Sequence, residues 1–392
     1  MKGGPLADRM QKGDYYKPNE VRSLMSWATE MVARNFEMYP HLAGVTFQAV
    51  VDQIIEQTAV TLPIAITAPY VHHESYWKRA CESRWKNVRP EDHGWSWKQA
   101  YMETHVQELI MKSEDEEHLA SEILAAKYYL FFISVSQLPS HMNMRVLFLN
   151  APTITSLSVT FGAKHLGSEY ERSQFGMKLQ DAANLCECVK TSMCLTSLSL
   201  TCNLLDDDLV KLLSLGLLAN KTITELNLSH NRIADSGAKK LAKYLFRTSV
   251  LVWLDLSDNL ISEEGARYFS QALRNNKSLE SFSIKHNRLS DKAGAKLLHG
   301  LEQNETLVTL NMSANQLSTL SVNKLLDLLG PESRSAIRDL DISCNMLYDA
   351  EVEEVIREDM LSALTALEAL LSAHCPLVKL DLRNAGLPRS MM

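Results

Sequence analysis

The residues whose types could do chemistry are few, and their spacing fits no reaction. Cys81, Cys186, Cys188, Cys194, Cys202, Cys344 and Cys375 make an odd count with no CxxC pair. Four of them, Cys186 to Cys202, lie close enough in sequence to raise zinc, but their spacing matches no common zinc pattern. Seven cysteines without a pairing framework are expected to be free thiols in a reducing, intracellular compartment. His72, His73, Glu74 and His93 are ligand types near one another, and core or surface duty is expected of them. His230 and His286 occupy equivalent places two repeats apart, roughly twice the ~4.8 Å strand spacing, too far for one metal. They are read as surface histidines. GxxxxGK, GxSxG and HExxH are absent from the sequence. The expectation is no catalytic residue, no cofactor, no metal and no enzyme.

What positions these residues is a repeat. The phrase apolar, two residues, apolar, one residue, apolar, two residues, Asn reads LTSLSLTCN at its first full occurrence, ending at Asn203. It returns in phase to end at Asn231, Asn259, Asn287, Asn315 and Asn345, with four intervals of 28 residues and one of 30. Two imperfect copies flank the array, ITSLSVTFG with Gly162 and LVKLDLRNA with Ala385 in place of Asn. They stand 41 and 40 residues away, so each gap holds about a dozen extra residues, expected as loops or longer helices. Terminal repeats are often atypical because they cap a stack.

Each residue type in the phrase has a task. In LxxLxL the apolar residues alternate with polar ones, the period of a strand with one buried face. Leu226 and Leu228 point inward, and Asn227 points out. The terminal Asn sits where the chain turns, and its amide can pair with backbone groups that the turn leaves free. After it comes a helical half, with Leu241, Ala242 and Leu245 on one face behind Ser236-Gly237-Ala238. A 28-residue strand–helix unit predicts an α/β solenoid, a horseshoe with parallel strands inside and helices outside. This resembles the ribonuclease-inhibitor-like subclass of leucine-rich repeats over about residues 150–390. The predicted organisation is a helical, Trp-rich N-terminal docking module at 1–140 and a solenoid of about eight repeats at 141–392.

The outward strand positions are mostly small and polar. Trp253 stands out among them as a candidate interface anchor. Asp255, Asp258, Asp339, Asp341 and Asp381 add an acidic cast that would steer a basic partner. The N-terminal region lacks the phrase. Helices are expected over Glu20–Met38, His41–Gln57 and Leu119–Phe132, with extended or turning backbone around Leu62-Pro63-Ile64 and Ala68-Pro69-Tyr70. Between them lie four of the six tryptophans. Trp77, Cys81 and Trp85 are spaced to share a helix face, with Arg79 and Arg84 beside them. Pro90 to Gly94 is a turn, after which Trp95 and Trp97 open another helix. The cluster reads either as an aromatic core or as a docking surface.

The net charge of −7, from 40 basic and 47 acidic residues, lacks the concentrated basic face that nucleic acid requires. The N-terminus has no apolar signal core, and the longest apolar run, Tyr128 to Val135, is far too short to cross a bilayer. Neither nucleic acid nor membrane is expected as a partner.

Tyr76-Trp77-Lys78-Arg79, Cys81, Arg84-Trp85 and then His93-Gly94-Trp95-Ser96-Trp97-Lys98, ahead of 28-residue repeats, resemble the leucine-rich-repeat subunit of the nexin–dynein regulatory complex. That family is also called T-complex-associated testis-expressed protein, and the resemblance covers roughly residues 60–390. It implies a scaffold in the link between outer doublet microtubules of motile cilia and flagella, where dynein-driven sliding is regulated. It also implies other subunits of the complex as partners, many of them coiled coils, and a cytoskeletal, axonemal location. The family has no defined catalytic residues and needs no cofactor. Two other readings share the layout. One is an F-box-like substrate adaptor of a ubiquitin ligase, from Leu62-Pro63 ahead of the Trp-rich helix. The other is a Ran-type GTPase activator built on similar repeats, although LRNAGLPRSMM is no acidic tail.

Overall fold

The computed structural model describes residues 23–112, 115–138, 143–162, 174–247, 250–330, 332–348, 354–374 and 377–387. The start of the helix expected at Glu20, the region around Ser113, and Cys375 lie outside them. Contacts divide the chain into Met1–Tyr101 and Met102–Met392.

The first unit is helical. Its helices are α1 (Leu24–Arg34), α2 (Gln48–Gln57), α3 (Ile64–Tyr70), α4 (Glu74–Arg84) and the start of α5 (Trp97–Lys112). The stretch expected to be extended around Leu62–Tyr70 is therefore a helix. Pro63 stands just before its first turn, where a missing N–H costs nothing, and Pro69 falls in its last turn, where little helix remains to break. The helix expected from His41 begins at Gln48. Trp77 and Tyr76 are almost fully buried, and Trp77 donates its indole N–H to the Val71 carbonyl at 3.0 Å.

The second unit is the solenoid. Its nine strands, β1 (Phe132–Leu138), β2 (Ser156–Phe161), β3 (Ser197–Ser199), β4 (Glu225–Asn227), β5 (Trp253–Asp255), β6 (Ser281–Ser283), β7 (Thr309–Asn311), β8 (Asp339–Asp341) and β9 (Lys379–Asp381), form one open sheet in sequence order. Every neighbouring pair is parallel; the β1–β2 pair shifts register between Val135 and Leu138, and from β3 on the register is the same at each step: Leu198 faces Leu226, then Leu254, Phe282, Leu310 and Leu340. This row is buried, each side chain contributing about 1.5–3 kcal/mol. After α6 (Glu116–Ala126) and α7 (Arg145–Asn150), helices of 11–13 residues run behind the strands and pack on their neighbours, from α8 (Leu179–Thr191) through α9 (Asp207–Ala219), α10 (Asp235–Arg247), α11 (Glu263–Leu273), α12 (Asp291–Leu301) and α13 (Thr319–Leu329).

Two features differ from the sequence reading. The helix expected to reach Phe132 ends at Ala126, and Phe132–Leu138 is the first strand of the sheet. LFFISVSQL carries the repeat spacing with Leu138 where Asn is expected, and its alternating burial is that of a strand. The buried Glu103 carboxylate holds its start, accepting from the Phe131 and Phe132 N–H groups at 2.9 and 2.8 Å. The extra residues before β9 go into a long helix, α14 (Glu354–His374), of 21 residues. Those before Asn203 include 163–173, outside the described residues.

The asparagine column binds repeat to repeat. Asn231 is typical: its Nδ2 donates to the Leu200, Leu228 and Ser229 carbonyls, and its Oδ1 accepts from the Asn203 and Leu205 N–H groups, all at 2.9–3.0 Å. Asn259, Asn287, Asn315 and Asn345 repeat the pattern, and Asn203 anchors the irregular side by bonding Val159 and Phe161. All but Asn315 are buried.

Two further columns do the same at the helix ends. Asn220, Asn276 and Asn304 follow the helices, each donating back to the preceding repeat (Val189, Leu245 and Leu273 carbonyls) and accepting from the N–H groups that lead into the next strand. Asp207, Asp235 and Asp291 open helices and reach across to the N-terminus of the next one. Asp235, for example, accepts from Ser262 and Gly265 N–H. This crossing explains Gly265: a Cβ there would stand 2.5 Å from Ile261 and 2.7 Å from the Asp235 carboxylate.

Candidate functional site

The outward side of the sheet is the candidate interaction surface. Trp253 lies on it half-buried, flanked in register by Glu225 on β4 and Ser281 on β6. The aspartates beside it are largely engaged in holding the strand ends. Asp255 accepts from both the backbone and hydroxyl of Ser257. Asp341 does the same for Ser343 and also takes the Asn311 amide at 3.0 Å. Asn227–Ser229 and Asn311–Ser313 are the neutral versions of that pair. Asp381 is clamped by the Arg383 guanidinium and backbone, and that bonding holds its carboxyl down at about 2. The sequence signal for this row was present as Asx-x-Ser at the end of successive phrases. Asp339 is half-exposed, while Glu225, not singled out from the sequence, is the more open carboxylate beside Trp253.

Asp258 has a different role. It receives the His230 imidazole at 2.7 Å and the His286 imidazole at 2.9 Å. The His230 hydrogen bond, followed by the attraction of His286 and His230, holds the Asp258 carboxyl below the usual range. The three residues stand just before successive ladder asparagines, all with left-handed backbone (φ 57°, 53° and 52°). Their side chains are thereby turned out of the strand row and brought together across two repeats. With Lys285 they line a recess of about 550 Å³. The two histidines are surface residues, as read from spacing, but one carboxylate joins them. The acidic face is thus tempered by imidazoles.

The Trp-rich box resolves into a core and one projecting residue. Trp77 packs on Tyr76 and Tyr101 at ring distances of 5.1 and 5.2 Å. α4 ends at Arg84, so Trp85 leaves the helix face it was expected to share with Trp77 and Cys81. It lies half-buried against Tyr101 and under the Arg84 guanidinium. Arg79 donates to the Ile55 carbonyl at 2.8 Å, closing the end of α2. Trp97 opens α5, with Lys78 over its ring, and Lys98 beside it is buried, donating to the Ala68 carbonyl at 2.7 Å. Desolvation pulls the Lys98 ammonium down to about 8. Trp95 stands outside α5 and is 76% exposed.

Among the described residues, no group of three or more His, Cys, Asp or Glu side chains is placed to hold a metal ion, and no helix is long and apolar enough to cross a membrane. His73 pairs with Asp52, and Glu74 caps the start of α5.

A family model described as Leucine Rich repeat matches residues 219–242. Over about half of the chain the sequence is 35% identical to "Dynein regulatory complex subunit 5" of Chlamydomonas reinhardtii, covering 51% of that protein. The proteins of the same name from Mus musculus and Homo sapiens are 27% and 26% identical over 50% of this chain and 46% of theirs. The chain thus spans about half the length of the curated relatives it matches. With nine parallel strands in sequence order and an amide ladder beneath them, it has a leucine-rich-repeat fold and is similar over half its length to dynein regulatory complex subunit 5.

Proposed function

We propose that this chain is a non-catalytic scaffold subunit of a dynein regulatory complex, helping to link outer doublet microtubules and to regulate ciliary motility. The observation that carries the reading is the 35% identity, over half the chain, to a relative bearing that name. The chemistry of the surface agrees. Asn227, Asp255, Asn311 and Asp341 on the outward face are occupied with neighbouring side chains and backbone, which suits a sheet that offers shape and hydrogen-bonding edges rather than a reacting centre. Other subunits of the complex, including coiled coils, are the partners. Two surfaces serve them: the solenoid face around Trp253, Glu225 and Asp339, and the Trp-rich helical region at 1–140. The location is the axoneme of a cilium or flagellum.

The test is localisation of the tagged chain in a motile ciliated cell. Axonemal signal that survives detergent extraction supports the reading. A signal confined to soluble cytoplasm or nucleus overturns it.

A further inference from the structure

We propose that the recess lined by His230, Asp258 and His286 receives a single arginine side chain of a partner protein near neutral pH and releases it when the two imidazoles are protonated. The inference rests on the scaffold reading above and adds which chemical group the solenoid face takes from its partner.

One carboxylate orients two rings. Asp258 meets Nδ1 of His230 at 2.7 Å and Nδ1 of His286 at 2.9 Å, one on each of its oxygens. Its carboxyl is held below the usual range, so it is ionised and can only accept. Each Nδ1 therefore carries the proton. The two Nε2 atoms, on the far side of the rings from Asp258, have no hydrogen-bond partner among the described residues. In neutral imidazoles they are acceptors, and in imidazolium they become donors.

The repeat itself holds these side chains in place. Cys202, Ala314, Cys344 and Asn384 occupy the equivalent positions and share the left-handed backbone, with φ of 53–58°. The turn thus imposes that conformation whatever residue stands there. His230, Asp258 and His286 use it to set ring, carboxylate and ring across three successive repeats.

The charge of the recess reverses with the imidazoles. Its other charged lining residues are Asp255 on β5 and Lys285 just after β6. From the β7 side come Asn311 and Ala314, which do not titrate, and Asp341 beyond them is tied to Asn311 and Ser343. Cys202, Glu225, Arg232 and Arg288 lie outside the lining. The Lys285 ammonium has no ion-pair partner among the described residues. One Asp255 oxygen accepts from Ser257, and the other is open among the described residues. With neutral imidazoles, two carboxylates against one ammonium leave the lining one negative charge and three open acceptors. A guanidinium neutralises that charge, and its planar fork of five donors serves several acceptors at once, which a lysine ammonium does less well. With both imidazoles protonated, the balance becomes one positive charge and two of the acceptors are lost. The same side chain is then repelled. A volume of about 550 Å³ leaves room for the guanidinium head.

The test uses the full chain and two blocked tripeptides, acetyl-Gly-Arg-Gly-amide and acetyl-Gly-Glu-Gly-amide, at fixed ionic strength. Affinity is read from the peptides' own NMR lines. The place of binding is read from the imidazole Cε1–H lines, assigned with His230→Asn and His286→Asn. The arginine peptide should move the His230 and His286 lines and bind at least about tenfold more tightly at about pH 8 than at about pH 5.5. Carboxylates elsewhere on the face stay ionised over that range, so binding to them lacks this dependence. In the double variant His230→Asn/His286→Asn the ratio should fall to within about twofold. Asparagine visits the left-handed region readily, so the turns remain. Asp255→Asn gives a second check, because Asn227 and Asn311 hold the same place with the same serine bond. It should weaken the arginine peptide at least about threefold at about pH 8 and leave the pH dependence in place. The proposal is overturned if the arginine peptide leaves both imidazole lines unmoved, if the pH ratio survives in the double variant, or if the glutamate peptide binds as well at about pH 8. Axonemal localisation is a separate measurement: its failure overturns the scaffold reading and leaves the peptide result as it stands.

Discussion

At the scale of single residues, the buried amides decide whether the repeats hold. Asn231 and Asn259 each serve backbone groups of more than one repeat. Replacing either by alanine leaves buried carbonyl and N–H groups without partners, and each substitution should cost about 1–3 kcal/mol in urea unfolding. Asn315 makes similar bonds but is not fully buried, so water can replace its amide and Asn315→Ala should cost less. Lys98 makes a different prediction. Its folded pKa, about 8, lies below its unfolded value near 10.5. Between those values the unfolded chain holds more protons, so this group adds stability as pH rises from about 8 towards 10.5. The buried thiols of Cys81 and Cys188, pushed up to about 12, act in the opposite sense as pH rises past their unfolded values. Comparison with Lys98→Met separates the terms: the wild-type melting temperature should gain on the variant across that pH window and run parallel below it.

At the scale of elements, the starts of α10, α11 and α13 each depend on a carboxylate from the repeat before. Asp235 takes N–H groups of Ser262 and Gly265 at the start of α11. Asp235→Ala should therefore destabilise the chain by about 1 kcal/mol, the loss of a helix cap. Glu263 occupies the equivalent position one repeat on, but its longer side chain turns outward to Lys296. Glu263→Ala should leave urea unfolding unchanged, and the contrast checks that the column works through reach rather than charge. This is also where the sequence ceased to be legible. The Asn at the end of each phrase stands out because it follows a fixed apolar pattern. Asp235 and Asn276 look like ordinary helix-start and turn residues until the repeats are aligned, since the groups they bind in the neighbouring repeat lie 27–31 residues away. β1 was hidden because Leu138 replaces the marker Asn, although LFFISVSQL keeps the spacing. Trp95 was read as helical because only its backbone dihedral, not its neighbours in sequence, shows that it precedes α5.

At the scale of the whole molecule, the solenoid repeats one kind of joint from strand to strand. The core-facing residues, leucines with Phe282 on β6, keep one register from β2 to β9, and burial falls at the last strand, where Leu380 is partly exposed. Thiol reactivity reports that order across both units. Cys194, Cys202 and Cys344 are exposed and should react with a maleimide in the folded chain, whereas Cys81, Cys186 and Cys188 are buried and should react only on unfolding. Mass spectrometry of the labelled peptides checks this, and early labelling of Cys186 or Cys188 would mean that the repeats do not stack as described. The proposed role places this stack in the link between doublets. Electron tomography of axonemes from cells lacking the subunit, with and without the tagged chain restored, tests it most directly. Restoration should return density, with the tag on it, to the link between neighbouring doublets. Links that look the same with and without the chain, or a tag found away from them, would contradict it.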